Sequence, residues 1–403
     1  MSEPSQAAPR PGRPPRRPPI SLRDARTRSV LWQAVAVAIA CAIIVLVGIQ
    51  TAANLKQRGI TSGFDYLGRA AGFELPPGPV PYASRDSYAR ALVLGLANTL
   101  RVSLLGILIA TALGVVIGVA RLSTIWVFAT ISRLYVELVR NTPLMLQLLF
   151  WYALSQALPG PKEALNPLPG VYLCIRGLFL PGLVWHGIHP WVGGGMLGVG
   201  VLVPVALAIT SDRWETAADE SRARRLLAGG AVALVCVAVV LGSGFSVERP
   251  SLAVFNFRGG LSVSPEFAAL LIGLSTYTAA FIAEIVRGGI VAVGRGQKEA
   301  AAALGLSRGR ALRLVVLPQA LRVIIPPTTS QFLNLAKNSS LAVAIGYSDV
   351  MSVTDATLNQ TGQAVEAIAL AICVYLGMNL IISFAMNLYN ARVAAGPAWS
   401  QHA

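Results

Sequence analysis

The stretch 284–322 reads EIVRGGIVAVGRGQKEAAAALGLSRGRALRLVVLPQALR and connects two long apolar runs. An Ala-rich segment that begins at Glu299 favours a helix. Gly305 is suited to end this helix, because glycine tolerates the left-handed C-cap conformation, and Ser307 is suited to cap a second helix. Leu317-Pro318 then predicts a stop or a kink before the next apolar run.

Two interpretations of this stretch stay open from its residues alone. A solvated basic loop would account for the seven basic residues of 287–322. A docking surface for another protein would account for its length, since a plain connection between helices needs only a few residues. A short exposed helix with small side chains on one face fits a groove of a partner, and we favour this second interpretation.

The composition excludes an ordinary soluble protein. Of the 403 residues, 54% are hydrophobic and 13% are charged, with a mean hydropathy of +0.61, whereas soluble domains have about 25% charged residues.

The four cysteines are scattered and form no CxxC motif, so neither a disulfide framework nor a zinc site is predicted. We expect no metal, no catalytic residues and no cofactor bound by this chain.

Runs without Asp, Glu, Lys or Arg indicate where the chain crosses a membrane. A spanning helix needs about 20 mostly apolar residues and must satisfy its own backbone hydrogen bonds in the bilayer. One such run is interrupted by Lys337 alone. The sequence therefore predicts an all-α integral membrane protein with about eight transmembrane helices, over 29–55, 102–120, 141–161, 177–211, 226–247, 267–283, 323–348 and 367–391.

The basic residues predict the orientation of these helices. With the N-terminus inside, the inner segments carry 22 basic residues and the outer segments carry ten. Because Lys and Arg favour the cytoplasmic side, we expect both termini in the cytoplasm, and with them the loop 287–322. The net charge of +15 then requires no nucleic-acid partner.

The stretch 284–322 resembles the EAA loop of ABC-transporter permease subunits. The matching residues are Glu299-Ala300-Ala301, Gly305 and Leu317-Pro318, and only Val315 departs from the usual Ile. The resemblance narrows to permeases of the polar amino acid (histidine, glutamine, general L-amino acid) uptake family through Phe281, Glu284, Arg287-Gly288-Gly289, Gly296-Gln297, Gln319-Ala320, Lys337-Asn338-Ser339-Ser340-Leu341 and Arg140-Asn141-Thr142-Pro143-Leu144. It covers 91–158 and 266–391, while the extra first span and the insertion 159–265 are similar to the larger general L-amino-acid permeases.

The resemblance implies a type I ABC importer permease fold in the bacterial cell inner membrane. It implies ABC ATPase subunits that bind ATP and Mg, a second and non-identical permease subunit, and a periplasmic amino-acid-binding protein as partners. The coupling contacts to the ATPase would be Glu299, Ala300, Ala301, Gly305, Leu317 and Pro318. The residues agree with ATP binding by a separate subunit. A Walker A loop requires Gly-Lys, and none of the four lysines of this chain follows a glycine.

Polar residues interrupt the run 323–348. Gln331, Asn334 and Asn338 follow the i, i+3, i+7 spacing of one helix face, and a charge such as Lys337 inside a span is a functional-site hypothesis. We predict a substrate path lined by Gln331, Asn334, Lys337, Asn338, Ser339 and Ser340, although contacts between helices would also account for these residues. Related permeases often have Asp where Asn338 stands, which implies neutral or broad substrates here.

Two smaller groups complete the prediction. Arg140, Asn141, Thr142 and Pro143 mark either a gate or a helix start, in which Asn141 or Thr142 caps the helix. Glu284 and Arg287 are three residues apart and can form an ion pair on one helix face. Lys337 could also pair with Glu284.

An ion-coupled secondary amino acid transporter is the alternative function. It would need ionisable groups inside the spans, which have almost none apart from Lys337. A membrane scaffold or enzyme is disfavoured, because the sequence has no recognisable set of catalytic residues.

We divide the chain by composition and by the resemblance. The predicted segments are a disordered basic tail (1–28), a first span with a periplasmic loop (29–90), a first core part (91–158), an insertion with two spans (159–265), a second core part (266–392) and a C-terminal tail (393–403).

Overall fold

The computed structural model describes residues 25–57, 63–185, 198, 200, 219–242 and 245–394. The chain divides into two compact units, Met1–Phe64 and Asp65–Ala403. The predicted tails 1–28 and 393–403 lie outside the described residues, apart from the few that belong to terminal helices.

The described part of the first unit contains the helix α1 (Ala25–Gln57). Its large apolar side chains are exposed along the helix, and Trp32 is 70% exposed. A helix that is apolar all round suits a hydrocarbon environment.

The second unit is mainly helical. Short 3-10 segments are Asp65–Gly68, Pro161–Glu163 and Ser339–Ile345, and Leu312–Val316 is a π-helical turn. The helices are α2 (Tyr88–Ala120), α3 (Trp126–Asn141), α4 (Leu144–Gln156), α5 (Asp219–Gly242), α6 (Pro265–Ala292), α7 (Arg295–Ala303), α8 (Arg308–Ala311), α9 (Leu317–Asn338), α10 (Val350–Thr361) and α11 (Ala364–Ala394).

Short antiparallel strands lie between α4 and α6. One sheet has the order β1-β2-β3-β8, and two further pairs are β4-β5 and β6-β7. The register of the larger sheet pairs Cys174 with Gly177 and Leu178 with Val263. The strands are β1 (Leu165–Leu168), β2 (Val171–Cys174), β3 (Gly177–Leu180), β4 (Gly182–Trp185), β5 (Phe245–Glu248), β6 (Ser251–Leu252), β7 (Phe257–Arg258) and β8 (Leu261–Val263).

The helical membrane fold is confirmed, whereas the number of eight spans is not. Within the described residues, five helical segments are long and apolar enough to cross a membrane. They correspond to the predicted runs 29–55, 102–120, 267–283, 323–348 and 367–391. The five segments are Leu31–Thr51, Tyr88–Ala120, Pro265–Ala292, Gly309–Ile345 and Ala364–Ala391.

The predicted spans 141–161 and 226–247 are shorter in the structure than the sequence suggests. In the first, only α4 is helical, and its 13 residues extend about 20 Å. In the second, α5 ends at Gly242 and the chain enters the strand β5 at Phe245, before the predicted end of the span. Helix α4 falls short of the roughly 30 Å hydrocarbon thickness.

The predicted helix over 177–211 is wrong for its first nine residues. These form β3 and β4, interrupted by Pro181, and Gly177 has a φ of +123°. A short apolar run bounded by Gly and Pro is compatible with a strand as well as with a helix, and the absence of charge does not separate the two. Most of the remainder of this run lies outside the described residues.

The contact between α2 and α6 is the most extensive between helices. Small buried residues spaced by four line one side of α2, namely Gly106, Ala110, Gly114 and Gly118. Gly114 and Gly118 lie against α6, whereas Gly106 lies against Leu335 of α9. A Cβ placed on Gly114 would lie 2.6 Å from the Cβ of Ile282. Small residues at such a spacing let two helix backbones approach closely in a membrane.

A buried polar cluster fastens α10 to α2 and α11. Asp349 caps α10, since its Oδ1 accepts a hydrogen bond from the Ser352 amide at 2.8 Å and its Oδ2 accepts one from the Tyr375 hydroxyl at 2.9 Å. The Val350 amide donates to Thr99 Oγ1 on α2 at 3.1 Å. Asp349 lies between two membrane segments, and burial raises its pKa to about 6 even though hydrogen bonds from Ser352 and Tyr375 oppose the shift.

Gly114→Ala tests the close approach of α2 and α6. We expect a loss of about 1–3 kcal/mol in the free energy of unfolding, because the new methyl group overlaps Ile282. Gly377→Ala on α11 is the matched control, since nothing lies within 4 Å of its Cβ position. Thermal unfolding of the purified protein in detergent measures both, and equal melting temperatures would contradict the close contact.

Asp349→Asn tests the pH dependence of stability. A carboxyl whose pKa rises from 3.8 to about 6 on folding binds more protons in the folded state. The fold is therefore most stable below pH 4 with respect to this group, and it loses up to about 3 kcal/mol as the pH rises through 6. We expect Asn, which also caps helices, to flatten the melting temperature between pH 4 and 7.

Asp355→Asn, exposed on the same helix, controls for the general effect of removing a carboxylate. A wild-type pH profile that Asp349→Asn leaves unchanged would contradict the assignment to Asp349.

Candidate functional site

The predicted coupling segment forms a short helix with a well-defined end. Helix α7 ends at the cap residue Leu304, and Gly305 has the left-handed φ of +70°. The Gly305 amide donates to the Ala302 carbonyl at 2.9 Å, and the Leu306 amide donates to the Ala301 carbonyl at 3.1 Å. These two bonds define a Schellman motif, which explains why glycine stands at this position.

One side of this segment is exposed. Glu299, Ala300 and Gly305 are exposed, whereas Ala301 is only 2% exposed. Leu304 is 81% exposed, the largest value among the exposed large apolar side chains of the described residues. We define Glu299, Ala300, Leu304 and Gly305 as the α7 surface.

The chain continues from α8 through the π-helical turn into α9 without a break. Leu317-Pro318, expected to stop or kink the helix, lies at the start of α9, and the π-helical turn Leu312–Val316 directly precedes it. Pro318 has no amide hydrogen, so the altered spacing of the π turn accommodates it. Both Leu317 and Pro318 are exposed.

Side-chain hydrogen bonds connect the two ends of this segment. Gln319 on α9 donates from Nε2 to Gln297 Oε1 on α7 at 3.3 Å and to the Val315 carbonyl at 3.0 Å. Lys298 donates to the Ile290 carbonyl of α6 at 3.5 Å. Helix α7 is therefore attached to both α6 and α9.

A charged cluster lies near the same end of α6. Arg287 donates from Nη2 to Glu284 Oε1 at 2.6 Å, and Arg121, the C-cap of α2, donates to Glu284 Oε2. Sequence reasoning paired Glu284 with Arg287 but missed Arg121, whose position directly after the charge-free run 102–120 was the available signal. With both carboxylate oxygens bonded to arginines, Glu284 is not the partner of Lys337.

The predicted path residues of α9 carry unpaired polar groups. Gln331 and Asn338 are half-buried, and Asn334 and Lys337 are exposed. In the described parts of the chain, none of these four side chains makes a hydrogen bond or an ion pair. In hydrocarbon such groups would be costly without partners, so they require water or another protein surface.

The two serines differ from these residues. Ser339 is fully buried and donates from Oγ to the Ala336 carbonyl at 2.8 Å. Ser340 donates from Oγ to the Lys337 carbonyl at 2.8 Å. Both lie in the 3-10 segment that follows α9, so each hydroxyl proton is bonded to the preceding turn.

Residues 140–143 form the junction between α3 and α4. The predicted capping by Asn141 or Thr142 is wrong, because Pro143 is the N-cap of α4 and Thr142 Oγ1 donates back to the Leu138 carbonyl at 2.8 Å. Gln147 fastens the junction by donating to the Val139 carbonyl at 2.9 Å and to the Thr142 carbonyl at 3.0 Å. The Arg140 guanidinium lies 5.1 Å from the centre of the Phe281 ring on α6.

The α7 surface, the Glu284–Arg287 pair and the polar face of α9 therefore belong to one continuous part of the chain, from α6 to α9. The sequence analysis did not identify Leu304 as a contact residue, although its position at the end of an Ala-rich helix would have indicated it. No cluster of three or more His, Cys, Asp or Glu side chains that could hold a metal ion occurs within the described residues.

Comparison with known proteins identifies relatives of this chain over most of its length. The E. coli (strain K12) protein YhdX, named as an amino-acid ABC transporter permease protein, is 43% identical over 93% of this chain and 96% of its own length. The general L-amino acid transport system permease protein AapQ of Rhizobium johnstonii is 42% identical over 93% and 94% of the two chains. The glutamate/glutamine/aspartate/asparagine transport system permease protein BztB of Rhodobacter capsulatus is 38% identical over 92% and 95%.

A family model described as the binding-protein-dependent transport system inner membrane component matches residues 102–395. The match begins inside α2 and includes α6, the α7 surface and α9. The chain therefore belongs to the family of binding-protein-dependent transport system inner membrane components.

Proposed function

We propose that this chain is the transmembrane permease subunit of an ATP-driven ABC importer for L-amino acids. The observation that carries the proposal is the α7 surface, a rigidly ended helix that presents an exposed Leu304 and is attached to two membrane helices. The names of YhdX, AapQ and BztB support amino acids as the substrate class.

The α7 surface is the docking site for an ABC ATPase subunit in this proposal. A helix of this size fits a groove on a partner through its exposed apolar side chain, and Glu299 contributes a charge beside it. ATP and Mg would be bound by the ATPase. Movement of the docked helix would pass through Gln319 and the π-helical turn to α9.

The orientation follows from this assignment and from the distribution of basic residues. The α7 surface and both termini face the cytoplasm, and the strands between α4 and α6 face the periplasm, where a binding protein delivers the substrate. A second permease subunit completes the path, and the insertion 159–265 favours a non-identical one.

The substrate path is assigned to the polar face of α9. Gln331, Asn334, Lys337 and Asn338 have unpaired side chains on a helix that is otherwise apolar enough to span a membrane. A water-filled path resolves the cost of these groups, because water supplies the hydrogen bonds that lipid lacks. Ser339 and Ser340 follow at the outer end of α9, where their hydroxyl groups bond to the preceding turn.

Glu299→Arg tests ATPase docking. We expect the ATPase to be lost from the purified complex and ATP-driven uptake to fall at least tenfold, since the substitution reverses a charge within the docked surface. Glu163→Arg, an exposed charge reversal in the 3-10 segment Pro161–Glu163, is the control and should leave both unchanged. Co-purification from native membranes and uptake in proteoliposomes provide the measurements.

Uptake that persists in the absence of any ATPase and depends on an ion gradient would contradict the proposal and favour a secondary transporter. ATPase retention by Glu299→Arg at the wild-type level would place the docking site elsewhere.

Asn334→Cys tests whether the polar face of α9 is lined by water. In a chain whose four native cysteines are replaced by Ser, we expect a charged thiol reagent to label this cysteine, because the reaction needs a hydrated thiolate. Leu376→Cys is the control, since Leu376 is a 56% exposed apolar residue of α11 and should face lipid. Equal labelling of the two variants would contradict a path along α9.

A further inference from the structure

A cavity of about 350 Å³ lies where the strands of the insertion meet the core helices. Its walls come from α2, from the start of α6, from the strands β3 and β7 with their neighbouring turns, and from the segment between the 3-10 turn Ser339–Ile345 and α10. Cavities that bind small ligands measure roughly 300–1,000 Å³, so this volume suits a small metabolite.

Two guanidinium groups line the cavity. Arg101 on α2 lies over the Phe267 ring, with its guanidinium carbon 4.3 Å from the ring centre. This cation–π contact holds the side chain in place without neutralising its charge. Arg176 lies in the turn between β2 and β3 and is exposed. Neither arginine forms an ion pair with any described residue.

One carboxylate lies in the same cavity. Glu266 is in the first turn of α6, where the positive end of the helix dipole favours an ionised acid. It also forms no ion pair with the described residues. The cavity therefore presents two positive groups and one negative group, and its net charge is positive.

The uncharged polar groups of the wall differ in their bonding. Tyr347 donates to the Asn98 carbonyl at 3.3 Å, and Asn98 donates from Nδ2 to the Ser348 carbonyl at 2.8 Å, so these groups are occupied. Asn256 Oδ1 is buried and accepts no hydrogen bond from the described residues. A buried acceptor without a donor is costly, which leaves a role for a donor on a bound molecule.

We propose that this cavity, the Arg101 pocket, binds the α-carboxylate of an L-amino acid with a neutral or acidic side chain. Arginine matches a carboxylate through paired, charge-assisted hydrogen bonds, and Glu266 attracts the α-ammonium group. The net positive charge disfavours a cationic side chain. The inference rests on the proposed function, for which it adds a binding site and a charge class of substrate.

The position of the pocket connects it to the path. Arg101 directly precedes the charge-free run 102–120, and Tyr347 follows the 3-10 segment that carries Ser339 and Ser340. In the proposed orientation the pocket lies at the periplasmic end of the polar face of α9. The insertion thus contributes Arg176 to a site where the substrate waits before it enters the membrane.

Binding of radiolabelled L-glutamate to the purified complex in nanodiscs, without binding protein or nucleotide, tests the pocket. We expect saturable binding that Arg101→Gln and Arg176→Gln each weaken about tenfold or more, as the loss of a charge-assisted pair predicts. Arg85→Gln, an exposed arginine of the loop before α2, should change the affinity less than twofold. L-Glutamine should compete better than L-arginine.

Several results would overturn the pocket. They are the absence of saturable binding at millimolar L-glutamate, equal affinities of wild type and both arginine variants, and displacement by glycerophosphoethanolamine, which would indicate a lipid headgroup. Because Arg176 is exposed, Arg176→Gln remains informative if Arg101→Gln fails to fold.

ATP-driven uptake by the same wild-type preparation, supplied with binding protein, keeps the two proposals apart. Uptake without an effect of the arginines on binding rejects the pocket alone. If the wild type takes up no amino acid in response to ATP, the proposed function itself is rejected.

Discussion

The close approach of α2 and α6 determines the arrangement of the other helices in the second unit. Gly114 leaves no room for even one additional methyl group against Ile282, and Gly118 lies equally close to Ala283 and Val286 of α6. In lipid the hydrophobic effect does not hold helices together, so dispersion contacts at short range must do so. Helices α3, α4 and α9 then pack on the remaining faces of α6.

Polar contacts fasten α2 at both ends. At one end Arg121 of α2 and Arg287 of α6 share the carboxylate of Glu284. At the other, Thr99 of α2 accepts a hydrogen bond from the backbone at the start of α10. The Glu284 cluster lies where apolar runs end, so its charges are neutralised near the membrane surface rather than within it. The two functional regions that we propose adjoin these ends.

Sequence reasoning identified most of the membrane core, because a charge-free run of about 20 residues has few alternatives to a helix. It also placed Gly305 correctly, since the Schellman motif needs a residue that tolerates a positive φ. It failed at 177–185, where short apolar runs bounded by Gly and Pro form strands, and at Thr142, whose hydroxyl donates back to Leu138 instead of capping α4. Arg101 and Arg176 are distant in sequence and line the same cavity only in the folded chain, so no local pattern predicts it.

The π-helical turn between α8 and α9 has a mechanical consequence. In a regular α-helix each amide bonds to the carbonyl four residues earlier, whereas in the π-helical turn the hydrogen bonds span five residues. A return of this turn to the regular hydrogen-bond pattern would shift the register of the adjoining helix α9. Because Gln319 bonds to Gln297 of α7 beside the turn, a displacement of α7 would be transmitted to α9. In the proposed function, a force applied to α7 by the ATPase would then change which side chains of α9 line the path.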